Sequence, residues 1–194
     1  MRGGPGVGRI GLAGDFPTVL EGARANDPRA WSRLYEWLAP GVSGYLQMFG
    51  AREVEDLTSE VLLAVFRRVG AFTGSEAQFR SWVFTVAHSR LIDERRRRNR
   101  RPDPEPLDNR HEDRMISDNA EDAALSGVEV ARIAAVCAQL PDEQRAVVLL
   151  RVIADFSIDE VAQVLGKSPG AIKQLQRRGF ATARKLFAQE SVTL

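Results

Sequence analysis

Cysteine is nearly absent from this 194-residue chain. The single one, Cys137, can close no intramolecular disulfide, and a reducing compartment, the cytoplasm, is expected. Long apolar runs are missing: none approaches the roughly 18 residues that span a bilayer. Met1–Gly14 is glycine-rich but has no signal-peptide core, and residues 1–15 read as a disordered tail. Histidine occurs twice, as His88 and His111, neither with a metal-ligand partner at a usable spacing. Gly166-Lys167-Ser168 ends like a phosphate loop, but Val161 stands where that loop needs glycine. No paired acid–base constellation is evident. Catalysis, a metal and any other cofactor are therefore not expected. Lysine is scarce (Lys167, Lys173 and Lys185), a bias that fits a GC-rich genome, so the placement of arginine is more informative than its identity.

Strand signals are also nearly absent, whereas helical periodicity recurs. Asp27-Pro28 reads as an N-cap followed by proline at N1. Trp31, Leu34, Tyr35 and Leu38 then share one apolar face. A second short helix is expected to carry Val42, Tyr45, Leu46 and Phe49, ending at Gly50. A third carries Val54, Leu57, Val61, Leu62, Val65 and Val69, with Gly70 as its stop. The fourth carries Phe79, Trp82, Val83, Val86 and Leu91 and runs into Arg95–Arg98. Trp82 falls on the apolar stripe and reads as core. Phe84 lies off it.

Charge is segregated although the net is only +1. Residues 90–101 hold seven arginines against Asp93 and Glu94. Residues 102–122 hold eight acids against Arg110 and Arg114, with Pro102, Pro104 and Pro106 at the start. So few large apolar residues cannot offset ordering entropy, which predicts a flexible acidic linker over 102–124. Beyond it, Ser126 can cap a helix with Val130, Ile133, Val136 and Cys137 on its apolar side. Pro141 begins another, with Val147, Val148, Leu150 and Ile153. The chain is thus expected to be all-α: two small helical domains, 16–101 and 125–194, joined by the linker.

The C-terminus carries the most specific local signal. Ser157-Ile158-Asp159-Glu160 is a capping box opening a short helix. Gly166 can end that helix in the left-handed conformation, and Ser168-Pro169 opens a longer one. A short helix, a glycine turn and a longer helix form a helix-turn-helix pattern. No acid lies between Glu160 and Glu190, but six basic residues do, including Lys173, Arg177 and Arg178. Such a helix suits a major groove, with phosphates and guanine edges as its partners.

These segments together resemble the extracytoplasmic-function (ECF) sigma factors of bacterial RNA polymerase. Leu140-Pro141-Asp142-Glu143-Gln144-Arg145, Leu150-Arg151 and Ser157–Ala162 resemble the family's region 4. Gly170–Arg178 is similar to its recognition helix. Asp56–Val61 resembles region 2.2, and Phe79–Ala87 through Asp93-Glu94-Arg95-Arg96 resembles regions 2.3 and 2.4. The resemblance implies a non-enzymatic initiation factor whose first domain docks on the clamp of the beta-prime subunit and melts the minus-ten element. Its second domain would bind the beta flap and read minus-thirty-five duplex. By the same resemblance, Asp56 and Glu60 would dock the core enzyme. Phe72, Thr73, Ser75, Phe84, His88, Ser89, Arg95 and Arg96 would meet melted minus-ten DNA. Ser168, Lys173, Gln174, Arg177 and Arg178 would meet minus-thirty-five DNA. The loop around Gly74 would help to hold an extruded base, a general use of such pockets. An anti-sigma factor is an expected partner, and the acidic linker is expected to lie along the RNA path. His88 and Ser89 depart from the family's usual basic residue and asparagine, and Ala171 replaces a frequent threonine. The rival readings are a stand-alone helix-turn-helix regulator and an interaction adapter that has lost DNA binding.

Overall fold

The computed structural model describes residues 12, 14–100 and 130–190. The linker stretch 102–122 and the cap at Ser126 lie outside the described residues. All regular structure among the described residues is helical.

The first lobe begins earlier than its periodicity suggests. Leu12 is buried in the core and Asp15 pairs with Arg33, so residues 12 and 15 belong to the lobe rather than to a tail. Helix α1, Phe16–Arg24, follows, with Pro17 in its first turn and Phe16, Val19, Leu20 and Ala23 buried on one face. Asp27 caps α2, accepting from the Arg29 amide at 2.9 Å. Helix α2 is a single helix, Pro28–Phe49, not the two short ones expected. Pro40 removes one amide donor, but Leu34, Leu38, Val42, Tyr45, Leu46 and Phe49 stay in phase on the buried face across it. Packing overrides the break. Gly50 ends the helix at φ 90°.

Helix α3, Val54–Phe66, stops short of Gly70. The chain tightens into a 3-10 turn, Val69–Ala71, which turns Val69 into the core and holds Gly70 inside rather than after the helix. Helix α4, Glu76–Arg100, absorbs the whole arginine run up to residue 100.

The second lobe comprises helical residues 130–138 (α5), α6 (Asp142–Val152), α7 (Ile158–Leu165) and α8 (Pro169–Glu190). Val136 and Cys137 of α5 are buried, but Val130 and Ile133 are exposed and do not extend that face. The capping box at Ser157/Glu160 forms in both directions, at 3.2 and 2.7 Å. Gly166 adopts φ 61°, which turns the chain from α7 to α8. Helices α6 and α8 touch at Gly179, where an added Cβ would lie 2.8 Å from Val148 Cγ2 and 3.3 Å from the Gln144 carbonyl oxygen.

The lobes are not separate bodies on a string. Helix α4 packs against α7 and α2 against α6, and one hydrophobic core runs through both lobes. At the seam Phe84 meets Phe156 edge to face at 5.0 Å. Arg80 donates to the Ala154 carbonyl at 2.6 Å with its guanidinium 5.0 Å from the Phe156 ring. Buried Arg145 donates to the Phe49 carbonyl at 3.2 Å and lies 5.2 Å from that ring, and Arg95 pairs with Asp142 at 2.9 Å.

Candidate nucleic-acid interface

Helix α8 is built to present one polar strip. Ser168 accepts from the Ala171 amide at 3.3 Å, and Pro169 needs no partner for its nitrogen. Ile172 is fully sealed and Leu175 half-buried, which fixes the helix rotation. Lys173, Gln174, Arg177 and Arg178 then face solvent together, on adjacent turns. Their exposed donors form a row suited to phosphates and base edges. Ala171 is half-buried and supplies no donor.

Asp56 and Glu60 stand one turn apart on the exposed side of α3. Beside them opens a cleft of about 780 Å³, lined also by Arg52, Glu94, Arg97 and Arg98. Glu60 lies 3.7 Å from Arg90, and Arg98 pairs with Glu94 at 3.5 Å. The cleft is open and carries both signs of charge. It suits an extended polar partner surface rather than a small apolar ligand.

The loop before α4 forms a third surface. Ser75 and Gln78 bond reciprocally: the Ser75 amide donates to Gln78 Oε1 at 2.8 Å, and Ser75 Oγ accepts from the Gln78 amide at 3.3 Å. Phe72 is half-buried, stacked on Trp82 at 5.4 Å and edge-on to Phe79 at 5.0 Å. Thr73, Gly74 and Ser75 are exposed.

Trp82 packs against the core as its stripe predicts, but Phe84 is not free to stack on a base in this closed arrangement. Phe84 is 3% exposed, clasped between Tyr45 and Phe156, whereas Trp82 is half-buried and lies against the loop. Phe84 shares the buried face of Ala87 and Leu91, where α4 meets both α2 of its own lobe and Phe156 of the other. His88 is likewise withdrawn: its Nδ1 shares a hydrogen bond of 2.8 Å with the Tyr45 hydroxyl, which burial holds protonated. Burial holds the His88 pKa below the usual imidazole value, although Asp142 opposes this. Ser89 and Arg96 are exposed, and Arg95 is engaged by Asp142 across the seam. Among the described residues no three His, Cys, Asp or Glu side chains gather as metal ligands. No described helix is long and apolar enough to cross a membrane.

Comparison with known proteins assigns the chain. Residues 24–101 match the family described as Sigma-70 region 2, and residues 131–182 match Sigma-70, region 4. The chain is 30% identical to the ECF RNA polymerase sigma factor RpoE of Cereibacter sphaeroides, across 82% of this chain and 87% of that one. The chain belongs to the ECF RNA polymerase sigma factors. It is also 32% identical to the ECF sigma factor BldN of Streptomyces coelicolor, across 89% of this chain and 66% of BldN. Among solved structures, the two-lobed fold matches that of CnrH in complex with the cytosolic domain of CnrY, with a TM-score of 0.67 at 21% identity over 89% of this chain and 96% of that one. It also matches RpoE in complex with the anti-sigma factor NepR from Bartonella quintana, at a TM-score of 0.63 and 19% identity over 81% and 96% of the two chains.

As a sigma factor, the chain acts in transcription initiation, a regulatory role. Three features of its surfaces escaped the sequence reading. Helix α1 shows Phe16, Val19, Leu20 and Ala23 at helical spacing behind an Asp-x-Pro start, which is a usable signal. Arg80 and Arg145 act across the seam, on carbonyls 74 and 96 positions away, and no local pattern reports such pairings.

Proposed function

We propose that this sigma factor directs core RNA polymerase to promoters by reading two elements with two lobes that must first separate. The strip on α8, Lys173, Gln174, Arg177 and Arg178 with Ser168 at its head, reads minus-thirty-five duplex. Asp56 and Glu60 dock the core enzyme through the α3–α4 cleft. Phe72, Thr73 and Ser75 receive an extruded minus-ten base, and Arg96 and Ser89 follow the melted strand. Opening the seam releases Phe84 from Phe156 and Arg95 from Asp142 to join them. It also uncovers that side of α4 beside His88, which stays bonded to Tyr45 of its own lobe.

The observation that carries this reading is the face of α8, where four polar side chains are exposed in register and Ile172 is sealed beneath them. Geometry adds the need to open. Elements about 25 base pairs apart lie roughly 85 Å apart along B-DNA. Two lobes packed directly on each other, whose longest helix, α4, runs roughly 38 Å, are too short to bridge that span. The 29 residues between α4 and residue 130 reach at most ~100 Å when extended, which is enough. The closed factor should therefore bind promoter DNA weakly by itself, in the cytoplasm where the polymerase works. An anti-sigma factor that holds the seam shut would keep it silent.

Adding the purified chain to core polymerase tests the proposal. Promoter-dependent transcripts support it. Operator binding without core enzyme would favour a stand-alone regulator, and core binding without transcripts would favour an adapter.

A further inference from the structure

Arg24, the last residue of α1, is placed where a sequence reading finds nothing to do. Its Nη1 donates to Glu21 one turn earlier on the same helix, and its Nη2 donates to the backbone carbonyl of Phe72, 48 positions away. That carbonyl belongs to the residue that leaves the 3-10 turn and enters the exposed tip Thr73-Gly74-Ser75. Arg24 Nε is buried without a hydrogen-bond partner, so the guanidinium is not placed to satisfy all of its own donors.

The rest of the loop is fixed by independent means. The Phe72 amide donates back to Val69 at 3.1 Å, and its ring is wedged between Trp82 and Phe79. At the far end Ser75 and Gln78 close their reciprocal pair. Gly74 is packed so tightly that an added Cβ would lie 2.7 Å from Gln78 Oε1 and 3.0 Å from Phe72 Cζ. Helix α1 is itself anchored to this cluster, since the Phe16 ring lies 5.4 Å from Phe79. A three-residue tip thus stands in solvent on a base held at both ends. Such a tip can discriminate between bases, because a loose one adapts to each of them.

We propose that α1 is a brace for base readout and that Arg24 is its positioning residue, holding the Phe72 carbonyl so that the Thr73–Ser75 tip keeps one shape. This rests on the reading that the tip receives an extruded minus-ten base. Arg24 touches no DNA in this scheme; it acts through Phe72. A hydrogen bond from a charged donor restrains its acceptor strongly enough to change the population of the bound geometry by roughly tenfold or more.

The test uses the full chain with core polymerase on promoters carrying each of the four bases at every minus-ten position. Three variants are compared: Arg24→Ala, Arg24→Lys and Thr73→Ala. Arg24→Ala should flatten the preference at the extruded base by about tenfold, with core affinity close to wild type and the chain still cooperatively folded at the assay temperature. Arg24→Lys, which retains one charged donor, should restore most of the preference. Thr73→Ala should alter the preference at that same position. If Thr73→Ala alters it and Arg24→Ala does not, the brace is refuted and the tip reading survives. If neither alters it, both fall. An equal loss of transcription for all four bases would assign Arg24 to folding and also overturn the proposal.

Discussion

Replacing Arg80 with alanine should open the lobes. Arg80 is the side chain most specific to the seam: it lies on α4, donates to the Ala154 carbonyl at 2.6 Å and covers Phe156 at 5.0 Å. A charged hydrogen bond contributes about 1.5–3 kcal/mol, and a cation–π contact at a partly wet site about 0.5–1 kcal/mol. Arg80 is half-buried, so water recovers part of both, and a net of ~2 kcal/mol is the reasonable figure. That changes the closed-to-open ratio by roughly 30-fold. Arg95→Ala is the internal comparison, because the Arg95–Asp142 pair has an exposed partner and is worth only about 0.2–1 kcal/mol, at most roughly fivefold. Single-molecule energy transfer between dyes at Arg29→Cys and Gln163→Cys, both exposed, reads the populations directly; Cys137 is buried. The expected order of open fraction is Arg80→Ala, then Arg95→Ala, then wild type, with helical content unchanged. Equal populations in all three, or Arg95→Ala exceeding Arg80→Ala, would refute the account of the seam.

The triple variant Lys173→Ala, Arg177→Ala, Arg178→Ala should lower the slope of log affinity against log salt by up to about 3 if each residue meets a phosphate, as measured by duplex titration; an unchanged slope would make the strip a solvated face. His88 has a depressed pKa in the folded chain, so the unfolded chain binds the extra proton first as pH falls. Stability should therefore decline on acidification from about 6.5 towards the folded pKa, and His88→Gln should remove that part of the pH dependence in melting curves. Gly179→Ala should cost about 1–3 kcal/mol by forcing α6 from α8, whereas Gly170→Ala, with open space around it, should leave the melting midpoint unchanged or raised.

What could be read in advance was what is local. The capping box at Ser157, the left-handed Gly166 and the Ser168-Pro169 start are decided within a few residues, and each forms as expected. Pro40 misled because its local penalty is outweighed by six buried apolar residues in phase on either side of it. Phe84 misled for a different reason: it shares the buried face of Ala87 and Leu91, but the stripe through Phe79, Trp82 and Val86 drew attention away from it, and its partner Phe156 belongs to the other lobe. Val130 and Ile133 kept helical spacing yet stand exposed, because spacing reports a shared face and not whether anything covers it. The exposure of Lys173, Gln174, Arg177 and Arg178 was legible because the buried Ile172 dictates which way they turn.

The central claim is that two lobes, closed together in the free chain, read two promoter elements at once when the polymerase holds them apart. Hydroxyl-radical footprinting of a promoter, with the chain alone and with the chain on core polymerase, tests this most directly. The account predicts no specific protection by the free chain, and two protected blocks about 25 base pairs apart in the holoenzyme, the upstream one lost in the Lys173, Arg177 and Arg178 triple variant. A discrete footprint from the free chain, or a holoenzyme footprint in which the upstream block survives that variant, would contradict it.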